Sequence, residues 1–244
     1  MDEFIDGAIE AGISVVFTSG NNPEPFMKQL KDNDIKVIHV ASSVRFAKKA
    51  ELLGCDAVVV NGYECGGHPG KNDTTSLTLI QKATQELSIP IIAAGGFSTG
   101  KSVLAALALG ADGVQMGTRF LMAKENQLHQ NVKEHLINST EIDTIMVKKS
   151  IGKMARVLKT SHAIELAQKE EHGAAFEEIF PYISGESYSE LIHNGNLSSG
   201  VIALGQTIGP IDDIKSTAEI MEEIVDDYKS RLLHLTGGRT IPLQ

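Results

Sequence analysis

Cysteine occurs only twice in the chain, at Cys55 and Cys65, so no disulfide framework holds the fold together. Two isolated thiols suit a reducing compartment, and a soluble, cytoplasmic protein is the expectation. Basic residues are in deficit: 22 Lys and Arg against 31 Asp and Glu leave a net charge of −9, and basic clusters are no longer than a pair such as Lys148-Lys149. No positive surface remains to attract nucleic acid or an anionic membrane. Long apolar runs are missing too, since none approaches the roughly 18 residues of a membrane-spanning helix. The acidic start Met1-Asp2-Glu3-Phe4 is wrong for a signal peptide. Metal-ligand spacing is absent from His39, His129, His135, His162, His172, His193 and His234, which read as structural or exposed.

What is present is a rhythm of short apolar runs and helical stretches. Strands are predicted at Ile13–Phe17, Lys36–Val40, Asp56–Val60, Pro90–Ala94 and Gly113–Met116. Helices are predicted between them: Pro25–Asp32, a Ser43-capped helix ending at Gly54, about Thr75–Leu87, and Ser102–Leu109. Strands that are apolar throughout and separated by helices form a parallel sheet covered on both faces. A repeat of roughly 20–25 residues favours a (β/α) barrel over a doubly wound sheet, although periodicity alone leaves the two open. After about Lys124 the pattern turns helical, with helices predicted over Asn126–Asn138, Met154–Lys169, Tyr188–Asn194 and Ala218–Leu235 and no convincing strand. The expected organisation is therefore a partial barrel over residues 1–124, a helical cap over 125–235 and a tail over 236–244.

Chemistry concentrates in the loops that follow the strands. Gly62, Gly66, Gly67 and Gly70 surround Glu64 and His68 after the third strand. Glycines at this density let main chain approach a ligand, and a histidine among them can exchange a proton near neutral pH. The competing reading is a Gly-rich surface loop with a solvated histidine. Gly95-Gly96-Phe97-Ser98-Thr99-Gly100 opens onto a helix, so unpaired amides and the positive helix end make an anion site there. A tight turn explains the two glycines equally well. Gln115-Met116-Gly117-Thr118 adds a glycine and a hydroxyl at the next strand end, and two such adjacent ends suit a phosphate-bearing cofactor. Cys65, beside the Gly-Gly-His run, is a weak candidate nucleophile, and Cys55 reads as core.

These residues carry a resemblance to a known family. Gly62-Tyr63-Glu64-Cys65-Gly66-Gly67-His68-Pro69-Gly70 resembles the Gly-x-Glu-Ala-Gly-Gly-His-x-Gly loop of nitronate monooxygenases (2-nitropropane dioxygenases) and of the flavin-dependent enoyl-ACP reductase II. Ile91–Gly96 and Val114–Phe120 resemble that family's Ile-Ala-Ala-Gly-Gly and Val-Gln-x-Gly-Thr-Arg-Phe segments, and the likeness extends to Gly205-Gln206-Thr207-Ile208-Gly209. The resemblance implies a TIM-type (β/α)₈ barrel with a helical cap and FMN at the strand ends. It implies that Gly95, Gly96, Gly117 and Thr118 hold the FMN phosphate, and that Gln115, Met116, Gly66 and Gly67 lie along the flavin site. His68 matches the active-site histidine. Cys65 stands where the family usually has Ala, and Asn61 where it more often has Gln or Glu near the flavin.

The implied activity is oxidation of alkyl nitronates with oxygen, with loss of the nitro group. The alternative is FMN- and NAD(P)H-dependent reduction of an enoyl thioester carried on acyl carrier protein. The turn Ser19-Gly20-Asn21-Asn22-Pro23 resembles one common in that reductase branch. A homodimer is the assembly the resemblance implies. Family members begin with three further strand-helix units, so this chain is expected to lack the first three, and a catalytically inactive barrel fragment is the third reading. A barrel aldolase or isomerase needs a lysine or paired carboxylates at the strand ends, and neither is evident.

Overall fold

The structure is a computed structural model that describes residues 2–237, so all but Thr236 and Gly237 of the expected tail lies outside the described residues. The chain divides into two compact units. The first comprises the residues up to Tyr63, Asn72–Ala94 and Ala106–Gln115; the second comprises Glu64–Lys71, Gly95–Ala105 and the chain from Met116 onward.

In chain order the elements up to the fifth strand are α1 (Asp2–Glu10), β1 (Val15–Ser19), α2 (Glu24–Asp32), β2 (Lys36–Ala41), α3 (Val44–Leu52), β3 (Ala57–Asn61), α4 (Ser76–Glu86), β4 (Ile91–Ala94), α5 (Gly100–Ala108) and β5 (Gly113–Gln115). The five strands form one parallel sheet in the order β1-β2-β3-β4-β5. A doubly wound sheet reverses its strand order at a switch point, whereas unbroken sequential order is the winding of a barrel. Register puts Val37, His39, Ala41, Val58, Val60, Ile91 and Ala93 on one face, all buried. Helices α2, α3 and α4 pack on the middle strands, and Leu30, Ala47, Ile80 and Ala83 are their most deeply buried side chains. On the opposite face, at the edge strand β1, Val15 is 43% and Phe17 56% exposed.

Local chemistry explains the joints. The Ser43 side chain accepts from Phe46 N at 3.3 Å and starts α3. Two aspartates clamp neighbouring strands at their starts. Asp56 N donates to Val37 O at 2.8 Å while its carboxylate accepts from Val37 N at 2.7 Å. Asp112 does the same to Ile91, with both bonds at 2.8 Å. Each clamp satisfies main-chain groups at a strand entrance that the ladder alone leaves open.

The second unit holds α6 (Thr118–Leu121), α7 (Gln130–Ile137), β6 (Thr144–Val147), β7 (Ala155–Leu158), α8 (Ser161–Glu171), α9 (Phe176–Ile183), α10 (Gly185–Asn194), a 3₁₀ turn at Gln206–Ile208 and α11 (Thr217–Leu235). The expectation of helices alone after Lys124 is corrected by the antiparallel hairpin β6–β7, in which Val147 pairs with Ala155. The helix expected from Met154 begins only at Ser161, because Ala155–Leu158 extends to pair with Thr144–Val147. Two apolar clusters form this unit's core. Met122, Val132, Leu136, Leu158, Leu191, Leu204 and Ile208 make one, and Val147, Ala155, Val157, Ala163, Leu166 and Ile179 the other. Among the described residues no helix is long and apolar enough to cross a membrane.

Candidate active site

His68 and its glycines sit in the second unit on a loop fastened to the β6–β7 hairpin. Gly67 and Arg156 exchange both main-chain hydrogen bonds, Gly67 N to Arg156 O at 2.9 Å and Arg156 N to Gly67 O at 2.7 Å. The loop is fastened a second time where Gln206 N donates to Glu64 O at 3.0 Å. At Gly66 an added Cβ would lie 2.8 Å from Gly205 N and from Leu204 C, so only glycine lets these two stretches of main chain cross. Gly67 has φ +76°, a left-handed turn that aims the chain at His68.

His68 lines a cavity of about 350 Å³ together with Gly67, Lys148, Tyr182, Tyr188 and the apolar side chains of Ala155, Val157, Ile183, Val201 and Ala203. Burial of part of the ring, then the charges of Lys148 and Lys153, hold the His68 imidazole below its usual range. It is therefore a neutral base at pH 7 rather than a cation. The Tyr182 hydroxyl donates to the Glu165 carboxylate, which pushes its own pKa up. That hydroxyl is thereby spent, and His68 offers the cavity a group suited to moving a proton.

The glycines expected to take a phosphate are also in the second unit. Gly95 (φ +78°) and Gly96 (φ +91°) turn the chain after β4 in left-handed conformations. Their amides make no hydrogen bond among the described residues. The helix end beyond them differs from the sequence reading. Ser98 N and Thr99 N both donate to Ser102 Oγ, Ser102 N donates to Thr99 Oγ1, and Lys101 N donates to the Asp227 carboxylate at 2.8 Å. The first turn of α5 is thus already capped, and the available donors lie upstream at the two glycines. Gly117 is exposed, and a Cβ there would meet nothing within 4 Å. Thr118 is buried and accepts from Gly205 N at 3.0 Å, which leaves its own hydroxyl proton to donate. Met116 is half-buried.

Asn61 and Gln115 belong to the first unit. They end β3 and β5, both in register with Ala94 of β4, and so project from the same face of the sheet. Cys65 and Cys55 are both buried, and burial raises the Cys55 thiol's pKa. His39 is buried with its Nδ1 2.8 Å from Thr18 Oγ1, a structural pairing within the sheet. Among the described residues no group of His, Cys, Asp and Glu could hold a metal ion.

Sequence reasoning missed Lys148. It reads as half of a surface basic pair, and only the hairpin turns it into the cavity. A family described as nitronate monooxygenase matches residues 7–227. A probable nitronate monooxygenase of Staphylococcus aureus (strain MSSA476) is 39% identical over 175 residues, covering 68% of this chain and 49% of the relative. The chain thus spans about half the length of the curated relatives it matches. Among solved structures, FabK from Thermotoga maritima superposes with a TM-score of 0.90 at 35% identity, covering 97% of this chain and 74% of that one. A nitroalkane oxidase from Streptomyces ansochromogenes, 21% identical, shares the fold with a TM-score of 0.77 over 96% of this chain and 69% of its own.

Proposed function

The chain belongs to the nitronate monooxygenase family, and on that footing we propose that it is an FMN-dependent oxidoreductase of alkyl nitronates. The observation that carries this reading is His68, an imidazole held neutral at pH 7 in a cavity with apolar walls. A neutral imidazole in that position receives rather than delivers a proton, which keeps a bound nitronate in its anionic form.

The donor set after β4 and β5 fits a flavin phosphate. The Gly95 and Gly96 amides and the Thr118 hydroxyl proton are available to it, and open space lies over Gly117. These four residues are assigned to the phosphate. Gly66, Gly67 and Met116 are assigned to the flavin ring. Bound there, FMN would supply the electron exchange between the nitronate and dioxygen, with a carbonyl compound and nitrite as products. The chain's own residues hold the cofactor, seat the substrate's apolar tail against Val157 and Val201, and manage the proton at His68.

The test is oxygen uptake and nitrite release from ethylnitronate by the chain supplied with FMN. Both are expected, and both should stop in His68→Gln. No oxygen uptake, alongside NAD(P)H consumption driven by a crotonyl thioester, would overturn the proposal. That second outcome is the enoyl-ACP reductase reading, in which acyl carrier protein brings the substrate. The turn at Ser19–Pro23 favours it, with Gly20 in the left-handed conformation that such a turn requires.

A further inference from the structure

Lys148 sits where a lysine is out of place. Its φ is +60°, and the other non-glycine residue with positive φ among the described residues is Asp34, whose short polar side chain tolerates that conformation. Lysine has no such compensation, and strain of this kind persists only where the surroundings impose it. Here Glu170 imposes it. Its carboxylate accepts from Lys148 N at 2.7 Å, from Ser150 N at 3.0 Å and from Ser150 Oγ at 2.8 Å. The turn after β6 is thereby pinned, and Lys148 lines the His68 cavity, near enough for its charge to act on the His68 ring.

Both Glu170 oxygens are engaged by that turn, and the Glu165 carboxylate accepts from Tyr182. Among the described residues no carboxylate pairs with the Lys148 ammonium. Lys153 adds a second positive charge felt at both Lys148 and His68. Burial first, then Lys153, holds the Lys148 ammonium below its ordinary range, with Glu170 opposing. A cavity with apolar walls and positive charge at one end, in a chain of net charge −9, is a local inversion of sign.

We propose that Lys148 is the anion-holding residue of the His68 cavity, so that the substrate is a small organic anion with a short apolar tail. This deepens the nitronate reading: the ammonium selects the preformed nitronate, which carries a charge, over its neutral nitroalkane. The left-handed turn is the structural cost of placing that charge next to His68.

The experiment reads binding, so that its failure is distinct from failure of the activity. Sodium propionate, an unreactive isoelectronic carboxylate, and ethylnitronate are titrated into the full chain while the His68 ring proton is followed by NMR. Saturation is expected in wild type. Lys148→Met should weaken both anions about tenfold or more, the loss of one charge-assisted contact, and Lys148→Arg should retain most of the binding. Neutral nitroethane should not distinguish wild type from Lys148→Met. Lys148→Gly guards against a folding artefact: it relieves the left-handed strain, should melt no lower than wild type, and should lose the anion all the same. Propionate binding that is unchanged in Lys148→Met and Lys148→Gly overturns the proposal. Lysine-dependent propionate binding without nitronate oxidation would leave it standing and remove only the activity reading.

Discussion

Gly67 and Arg156 are joined by a reciprocal pair of main-chain hydrogen bonds, so the loop that carries His68 is bridged to the outer edge of β7 in the β6–β7 hairpin. The position of the histidine depends on that hairpin and on the glycines that let the loop lie against its neighbours.

Gly66→Ala should destabilise the chain. Its Cβ would press on the Leu204–Gly205 main chain at 2.8 Å, which cannot rotate aside. A cost of about 1–3 kcal/mol is expected, read as a lower urea midpoint at unchanged slope. At Gly67 the nearest atom is Ala203 Cβ at 3.8 Å, so Gly67→Ala meets no clash and pays only for its φ of +76°, about 1–2 kcal/mol. Equal, negligible effects at both positions would contradict the packing described.

His68→Gln should lower turnover by about 10²–10⁴-fold, the usual range for a general base, with little change in melting temperature. The acid limb of the wild-type pH–rate profile should fall below the ordinary imidazole value of 6.5, because the ring is held neutral. Lys153→Met removes one of the two cations that depress it. The His68 pKa then rises, and the acid limb moves to higher pH. A limb that stays put in Lys153→Met would detach the profile from His68.

His39 supplies a pH dependence of stability. Burial lowers its pKa below 6.5, so the unfolded chain takes up the proton first. Stability is full above about pH 6.5 and is lost as pH falls from there through the folded-state pKa. His39→Gln cannot charge. Its urea midpoint should start lower, for want of the imidazole's packing and its Thr18 contact, but should fall less between pH 7.5 and 5. Parallel curves for the two proteins would assign that acid sensitivity elsewhere.

Arg119 is buried and reaches Asp213 at 2.8 Å and Glu223 at 3.6 Å, while Lys215 also pairs with both acids. Arg119→Met should cost about 1–3 kcal/mol, the range for a charge-assisted bond whose partner is only partly desolvated. Asp213→Asn should cost less than Arg119→Met, because Glu223 remains near the guanidinium. Thermal unfolding of the two variants gives the order, and the reverse order would mean that Asp213 is the main anchor.

The parallel strands were legible because each is a β-branched or small apolar run between a polar start and a turn, as in Val58-Val59-Val60. His68 was legible because a histidine set among glycines in a loop after a strand reads as a site rather than as core. The hairpin was not. Thr144–Val147 and Ala155–Leu158 are only four residues each, and β7 is held extended by Thr144–Val147 and also by Gly67 and Ala203, which are distant in sequence. The clamps at Asp56 and Asp112 were missed for the same reason, since a carboxylate before a strand reads as a turn residue until its neighbour is in place. The α5 anion site was misplaced because Asp227, which caps it, lies more than a hundred residues away.

Gly66 and Gly205 cross with no side chain between them, and a Cβ on Gly205 would in turn lie 3.1 Å from Glu64 O and from Thr118 Oγ1. Three separate stretches of sequence therefore meet as one joint. A chimera that exchanges the His68 loop alone would carry one face of that joint into a mismatched socket. The unit that can be moved between relatives is the loop together with residues 203–206 and Thr118, and substitutions in any one of them are constrained by the other two.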